Sequence, residues 1–188
     1  MMGVLAAPTL PTRDEIRHSS KQVKHLFRVA AAVFVTGVKE ERKENAGAQR
    51  SDELAHLLHN AGYCWYCAGE AAARPNLEEA LGLYCELGWA EDVAYQLTYL
   101  ALYFELMDAL IPALWCIRAT EAVYAECGTQ ENANNRLFAA KQAARIEAEP
   151  AAKTVPQPQV RRQSDQSIRD YMRMVVSEYL TVAARFSL

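Results

Sequence analysis

The 188-residue sequence predicts an all-α protein, a short α-solenoid of helical hairpins. An N-terminal amphipathic helix precedes this stack, and a C-terminal helix follows it after a proline-rich linker. Three observations lead there. Alanine and leucine dominate residues 51–149, with little glycine or proline and no β-branched runs, which favours helix over strand. A short pattern also occurs twice. Ala80-x-x-x-Tyr84-x-x-Leu87-Gly88 is answered by Ala113-x-x-x-Ile117-x-x-Thr120, with both anchors recurring after 33 residues (80 to 113, 84 to 117). A repeat of that length encodes a unit that cannot bury its apolar face alone and stacks on copies of itself. Finally, cap and turn residues cut the chain into helix-length segments.

Taken in order, residues 1–11 read as an extended arm, because Pro8 and Pro11 preclude a regular helix. Thr12-Arg13-Asp14-Glu15 has the form of a capping box, so a helix is expected from about Arg13 to Glu44, ending in the loop Asn45-Ala46-Gly47. Ser51 or Asp52 caps the next helix, which reaches about Ala73. Pro75-Asn76 restarts the chain into a helix over 77–87, which Gly88 stops. Helices over 91–107 and 110–127 follow, with Pro112 tolerated in a first turn, and Gly128 separates them from one over 130–149. Residues 150–163 form a proline-rich linker without helical period. Ser164 or Asp165 then caps a last helix with Ile168, Tyr171, Met172, Val175, Tyr179, Leu180, Ala183 and Phe186 on its apolar face. The domain reading is therefore an arm and basic helix at 1–50, a repeat domain at 51–149, a linker at 150–163 and a terminal helix at 164–188.

Charge is distributed unevenly. Residues 1–50 carry 9 basic against 5 acidic side chains, residues 51–149 carry 5 against 15, and residues 150–188 carry 6 against 3. An acidic body with two basic arms disfavours nucleic acid, which demands a basic footprint. The arms suit an acidic partner, an anionic membrane surface or the body itself. The five cysteines are odd in number and sit in apolar helical stretches, so reduced, buried thiols in an intracellular protein are expected.

The central block resembles the tetratricopeptide repeat (TPR) family, in which small residues sit where paired helices touch and large ones fill between them. The best-fitting unit reads Leu97-x-x-Leu100-Ala101-x-x-Phe104, then Ala113, Ile117 and Thr120. A looser unit precedes it at Leu57, Ala61-Gly62 and Trp65, and Leu137 with Ala140 marks a third first helix. The resemblance covers about residues 51–149 and implies a protein that holds others. The lysine clamp with which some members grip chaperone carboxylates is missing, since no lysine lies between Lys43 and Lys141. Tyr95, Thr98, Leu102 and Glu105 fall where the groove of the best unit would lie, and they suit an apolar or basic segment. The chain's own terminal helix is an equal candidate to fill that face.

Arg13, Arg17, Lys21, Lys24 and Arg28 recur every three or four residues and form a basic stripe along the first helix. Such a helix can be a mitochondrial presequence, a membrane-surface element or a docking helix. Asp14 and Glu15 are atypical of presequences, so docking or packing is the expectation. His56-x-x-His59 and Cys64-x-x-Cys67 have the look of metal ligands. His56 and Cys67 nevertheless lie about 16 Å apart along one helix axis, so one ion cannot take all four, and small core or boundary roles are expected. Residues 97–117 are apolar enough to raise a membrane span, yet Glu105, Asp108 and Pro112 argue for a buried hairpin.

No glycine loop, HExxH or GxSxG occurs, and paired acids such as Glu78/Glu79 occupy first turns, so neither an enzyme nor a cofactor is expected. The expected function is that of a non-catalytic accessory or scaffold subunit of a large multiprotein assembly, cytoplasmic or mitochondrial, bound to other protein subunits. The terminal helix, through Tyr171, Met172, Val175 and Tyr179, and the basic helix would clasp neighbours. A transient peptide-binding adaptor or cochaperone, or a peripheral membrane protein using the basic helix, are the alternatives.

Overall fold

The computed structural model describes residues 10–45, 52–127, 130–149, 158, 162–163 and 166–185. Among these, every regular element is an α-helix: α1 (Arg13–His18), α2 (Lys21–Glu44), α3 (Asp52–Ala68), α4 (Ala73–Leu87), α5 (Ala90–Leu106), α6 (Leu110–Cys127), α7 (Gln130–Glu147) and α8 (Ile168–Ala184). From α2 to α7 each helix packs on the next in sequence, and α8 returns to lie on α4, α6 and α5. No described helix is long and apolar enough to cross a membrane. Residues 97–117 form the expected buried hairpin of α5 and α6.

The repeat positions form the centre of the core. Ala80, Leu97, Leu100, Phe104, Ala113 and Thr120 are each 0% exposed, and Tyr84 and Ile117 are nearly so. Alanines at the contacts let the helix axes approach while the large residues fill the space between. Gly62 is the extreme case, since a Cβ there would lie 2.6 Å from the Leu77 side chain of α4. The Thr120 hydroxyl is satisfied locally by donating to the Cys116 carbonyl at 3.0 Å.

Four expectations about the elements need correcting. The single helix over 13–44 is two helices. The Thr12 capping box starts α1 as expected, but Ser20 adopts an extended conformation and caps α2 by accepting from the Val23 amide. An N-cap serine inside a helical run offers the backbone an alternative partner and resets the helix. Likewise α3 ends at Ala68 rather than Ala73, because Gly69 turns with φ of 75°, and α4 already begins at Ala73 with Pro75 in its first turn. Along α7 the inward line is Ala139, Ala143 and Ile146, whereas Leu137 is 54% exposed, so the third repeat unit does not keep the register of Leu137 and Ala140. Lastly, Ser167 caps α8, accepting from the Asp170 amide. Ile168 and Leu180 stay exposed there. Ser51, Ser164, Asp165, Phe186, the loop at 46–47 and most of the 150–163 linker lie outside the described residues.

Candidate interaction surface

Two helices with matching periodicity build the best-defined polar and aromatic surface. His56, His59 and Tyr63 share one side of α3 at spacings of three and four. Asp92, Tyr95, Gln96 and Tyr99 do the same on α5. Trp89, at the α5 N-cap, and Tyr84, from α4, close one end. The rings touch in sequence. His56 lies 5.8 Å from both Tyr84 and Trp89. His59 lies 5.6 Å from Tyr95 and 5.0 Å from Tyr99, and Tyr63 lies 5.6 Å from Tyr99.

Gln96 orients this strip from below. It is fully buried, its Nε2 donates to the Leu77 carbonyl at 3.0 Å, and its Oε1 accepts from His59 Nδ1 at 2.7 Å. The His59 proton is thereby placed on Nδ1, leaving Nε2 as an acceptor. His56 Nδ1 shares a 3.0 Å hydrogen bond with the Tyr84 hydroxyl, and the Tyr95 and Tyr99 hydroxyls share one at 2.8 Å. Burial holds the His59 pKa below the ordinary imidazole value, against the raising effect of the Gln96 bond. Burial also raises the Asp92 pKa, with the two imidazoles pulling it back down. A carboxylate among aromatic rings, with Trp89 at 36% and Tyr95 at 38% exposure, can receive a cationic or apolar group through the ring faces and one fixed charge.

The residues expected to bind partners fall into three settings. Of the groove set, Tyr95 is half-exposed in the strip and Leu102 is half-buried, while Thr98 and Glu105 are buried. Glu105 receives both Arg145 guanidinium nitrogens from α7, through Nη1 at 2.7 Å and through Nη2. Tyr171, Met172, Val175 and Tyr179 are at most 1% exposed and anchor α8 to its own chain instead of facing outward. Tyr179 donates to Glu78 at 2.7 Å and packs 6.1 Å from Trp115. Arg74 completes this seat, pairing with Glu78 at 2.8 Å, donating to the Ala183 carbonyl at 3.3 Å and lying 5.3 Å over the Phe104 ring.

The basic stripe meets the acidic body. Arg13 and Arg17 converge on Asp108 at 3.0 and 2.7 Å, Arg17 also donates to the Leu106 carbonyl at 2.9 Å, and Arg28 donates to Glu70 at 2.7 Å. Asp108 holds a φ of 58°, the left-handed region that aspartate tolerates better than most side chains. Lys24 reaches the Arg17 carbonyl at 3.3 Å, and Lys21 is exposed. Surface pairs of this kind contribute about 0–1 kcal/mol each. Ile16, 2% exposed, is therefore the main anchor of α1, helped by the Tyr66 hydroxyl donating to the Pro11 carbonyl at 2.8 Å. The N-terminal segment thus lies across α3 and α5, and the C-terminal helix covers the α4 and α6 side.

His56 and His59 are held by Tyr84 and Gln96, and Cys64 and Cys67 are buried free thiols, with burial pushing the Cys67 pKa up to about 11. Among the described residues no group of three or more His, Cys, Asp or Glu side chains gathers as a metal site would. The strip members that sequence reasoning missed are Tyr63, Trp89, Asp92, Gln96 and Tyr99. The usable signal was the matching three-and-four spacing of rings on α3 and α5. Comparison with protein-family models, with curated proteins and with solved structures finds no match for this chain.

Proposed function

We propose that the chain is a non-catalytic scaffold subunit of a multiprotein assembly, in which stacked helical hairpins of the TPR type present the α3/α5 strip to another protein. The observation that carries this reading is the exposure of Trp89 and Tyr95 on either side of Asp92, on helices otherwise well covered. Large rings held rigid, Trp89 by stacking on Tyr84 and Tyr95 by the Tyr99 hydroxyl and ring, lose little side-chain entropy on binding, which is why such residues dominate protein interfaces. The carboxylate and the surrounding acidic body select a segment that carries lysine or arginine beside apolar residues. The terminal helices act as internal struts that keep α3 and α5 in register.

Native co-purification of the tagged full chain, with partners identified by mass spectrometry, tests the reading. Trp89→Ala with Tyr95→Ala should release the partner while the chain stays folded with an unchanged helical spectrum. Retention of every partner by that double variant, or recovery of the unmodified chain without partners, would sink it.

A further inference from the structure

We propose that the outer face of α2 pairs with α2 of a second copy of this chain, antiparallel about a two-fold axis. From Leu26 to Val38 the only polar side chains are Arg28 and Thr36. On one side, Phe27, Ala31 and Val38 pack inward toward α3. On the other, Leu26 is 62%, Val29 50% and Val33 65% exposed, and among the described residues no helix lies against them. Apolar side chains on both sides of one helical stretch call for cover on both sides, and among the described residues only the inner side has it.

The spacing on the outer face identifies the occupant. Gln22, Leu26, Val29, Val33, Thr36 and Glu40 recur at alternating steps of four and three, the seven-residue period with which one helix packs along another. Placed antiparallel with Val29 opposite Val33 of the copy, the series becomes self-complementary. Val33 then returns to Val29, Leu26 meets Thr36, and Gln22 meets Glu40. The Thr36 hydroxyl already donates to the Ala32 carbonyl at 2.9 Å, so its methyl group can face Leu26 without leaving a donor unpaired. At each end the Gln22 amide can donate to the Glu40 carboxylate, whose Oε1 accepts from Lys43 of its own chain at 2.7 Å and which keeps lone pairs for a second donor.

Charge sets the direction. Between residues 21 and 28 α2 carries Lys21, Lys24 and Arg28 and no acid, while at residues 39–44 Lys39, Arg42 and Lys43 are balanced by Glu40, Glu41 and Glu44. Antiparallel pairing sets the basic end of one helix against the charge-balanced end of the other, whereas parallel pairing aligns the two basic ends.

Sedimentation equilibrium of the full chain at concentrations up to about 100 µM reads the result, because a micromolar Kd leaves mostly dimer there. The wild type should be dimeric. Val29→Glu, which places a carboxylate in both central layers, should weaken the dimer by roughly a hundredfold, with an unchanged helical spectrum and, at concentrations too low for self-association, an unchanged melting temperature. Gln22→Lys should tighten it, since each lysine then faces Glu40 of the copy, and Gln22→Glu should loosen it. A monomeric wild type, including one that binds anionic vesicles, overturns the proposal. So does a dimer indifferent to Val29→Glu, and weakening by Gln22→Lys overturns the antiparallel register. Partner capture through Trp89 and Tyr95 is read separately, so either conclusion can fail without the other.

Discussion

Helices α2 and α8 are both amphipathic and both come from a basic arm, yet the fold treats them differently. Along α8 the buried line Tyr171, Met172, Val175, Tyr179 and Ala183 fills the seat offered by α4, α5 and α6, and the exposed large apolar residues are confined to Ile168 and Leu180. Its apolar width matches the surface available. Along α2 the apolar arc is wider than α3 can cover, so Leu26, Val29 and Val33 stand in solvent beside a well-packed inner face. The difference teaches that amphipathicity brings a helix to the body, while the excess width of its apolar face tells whether something further must cover it.

The contrast can be broken most sharply at α8. Tyr179→Ala should cost about 3–5 kcal/mol in urea denaturation, since it empties a fully buried ring site and removes the bond to Glu78. A loss below about 1 kcal/mol would mean that α8 is a loosely held arm after all. Arg74→Met should cost about 2 kcal/mol in the same assay, because it strips Glu78 of its ion pair, the Ala183 carbonyl of a donor and the Phe104 ring of its cation.

A smaller effect depends on pH. His59 has its folded pKa lowered below the unfolded value, so below about pH 6.5 the unfolded state binds more protons than the folded one. Stability should therefore fall as pH drops from 7 through that value. His59→Gln should flatten this part of the profile, and an unchanged profile would show that His59 is not the group responsible. The smallest effect is expected on α2. At concentrations too low for self-association, Leu26→Gln should move stability by no more than about 0.5 kcal/mol, as for other exposed sites. A larger loss would place Leu26 in the core of its own chain and erase the contrast with α8.

Much of the fold was legible because it is written locally. The Thr12 capping box and the Gly88 stop were readable, the latter with φ of 85° at the end of α4. The spacing of Ala80, Leu97, Phe104 and Ala113 placed the core correctly because helix period and side-chain size act within a few residues. The reading failed where two options had similar local merit. Ser20 could sit inside a helix or cap one. Along α7, Leu137 is the better hydrophobe, yet Ala139, Ala143 and Ile146 face inward.

The candidate surface was less legible. Tyr95 was picked out, but the ring strip spans α3, α4 and α5, and its organiser, Gln96, is an ordinary polar residue until Leu77 and His59 are brought beside it.

The sequence by itself determined the helices, most of their ends and the alanine-lined contacts, because capping, periodicity and volume operate between near neighbours along the chain. Only the tertiary structure decided that the arginines of α1 and α2 meet Asp108 and Glu70, that α8 turns its tyrosines inward, and that one side of α2 is left without cover among the described residues. Those outcomes depend on which surfaces lie opposite one another after packing. A residue's own neighbours in sequence do not encode the width, charge or distance of a surface contributed from fifty or a hundred residues away.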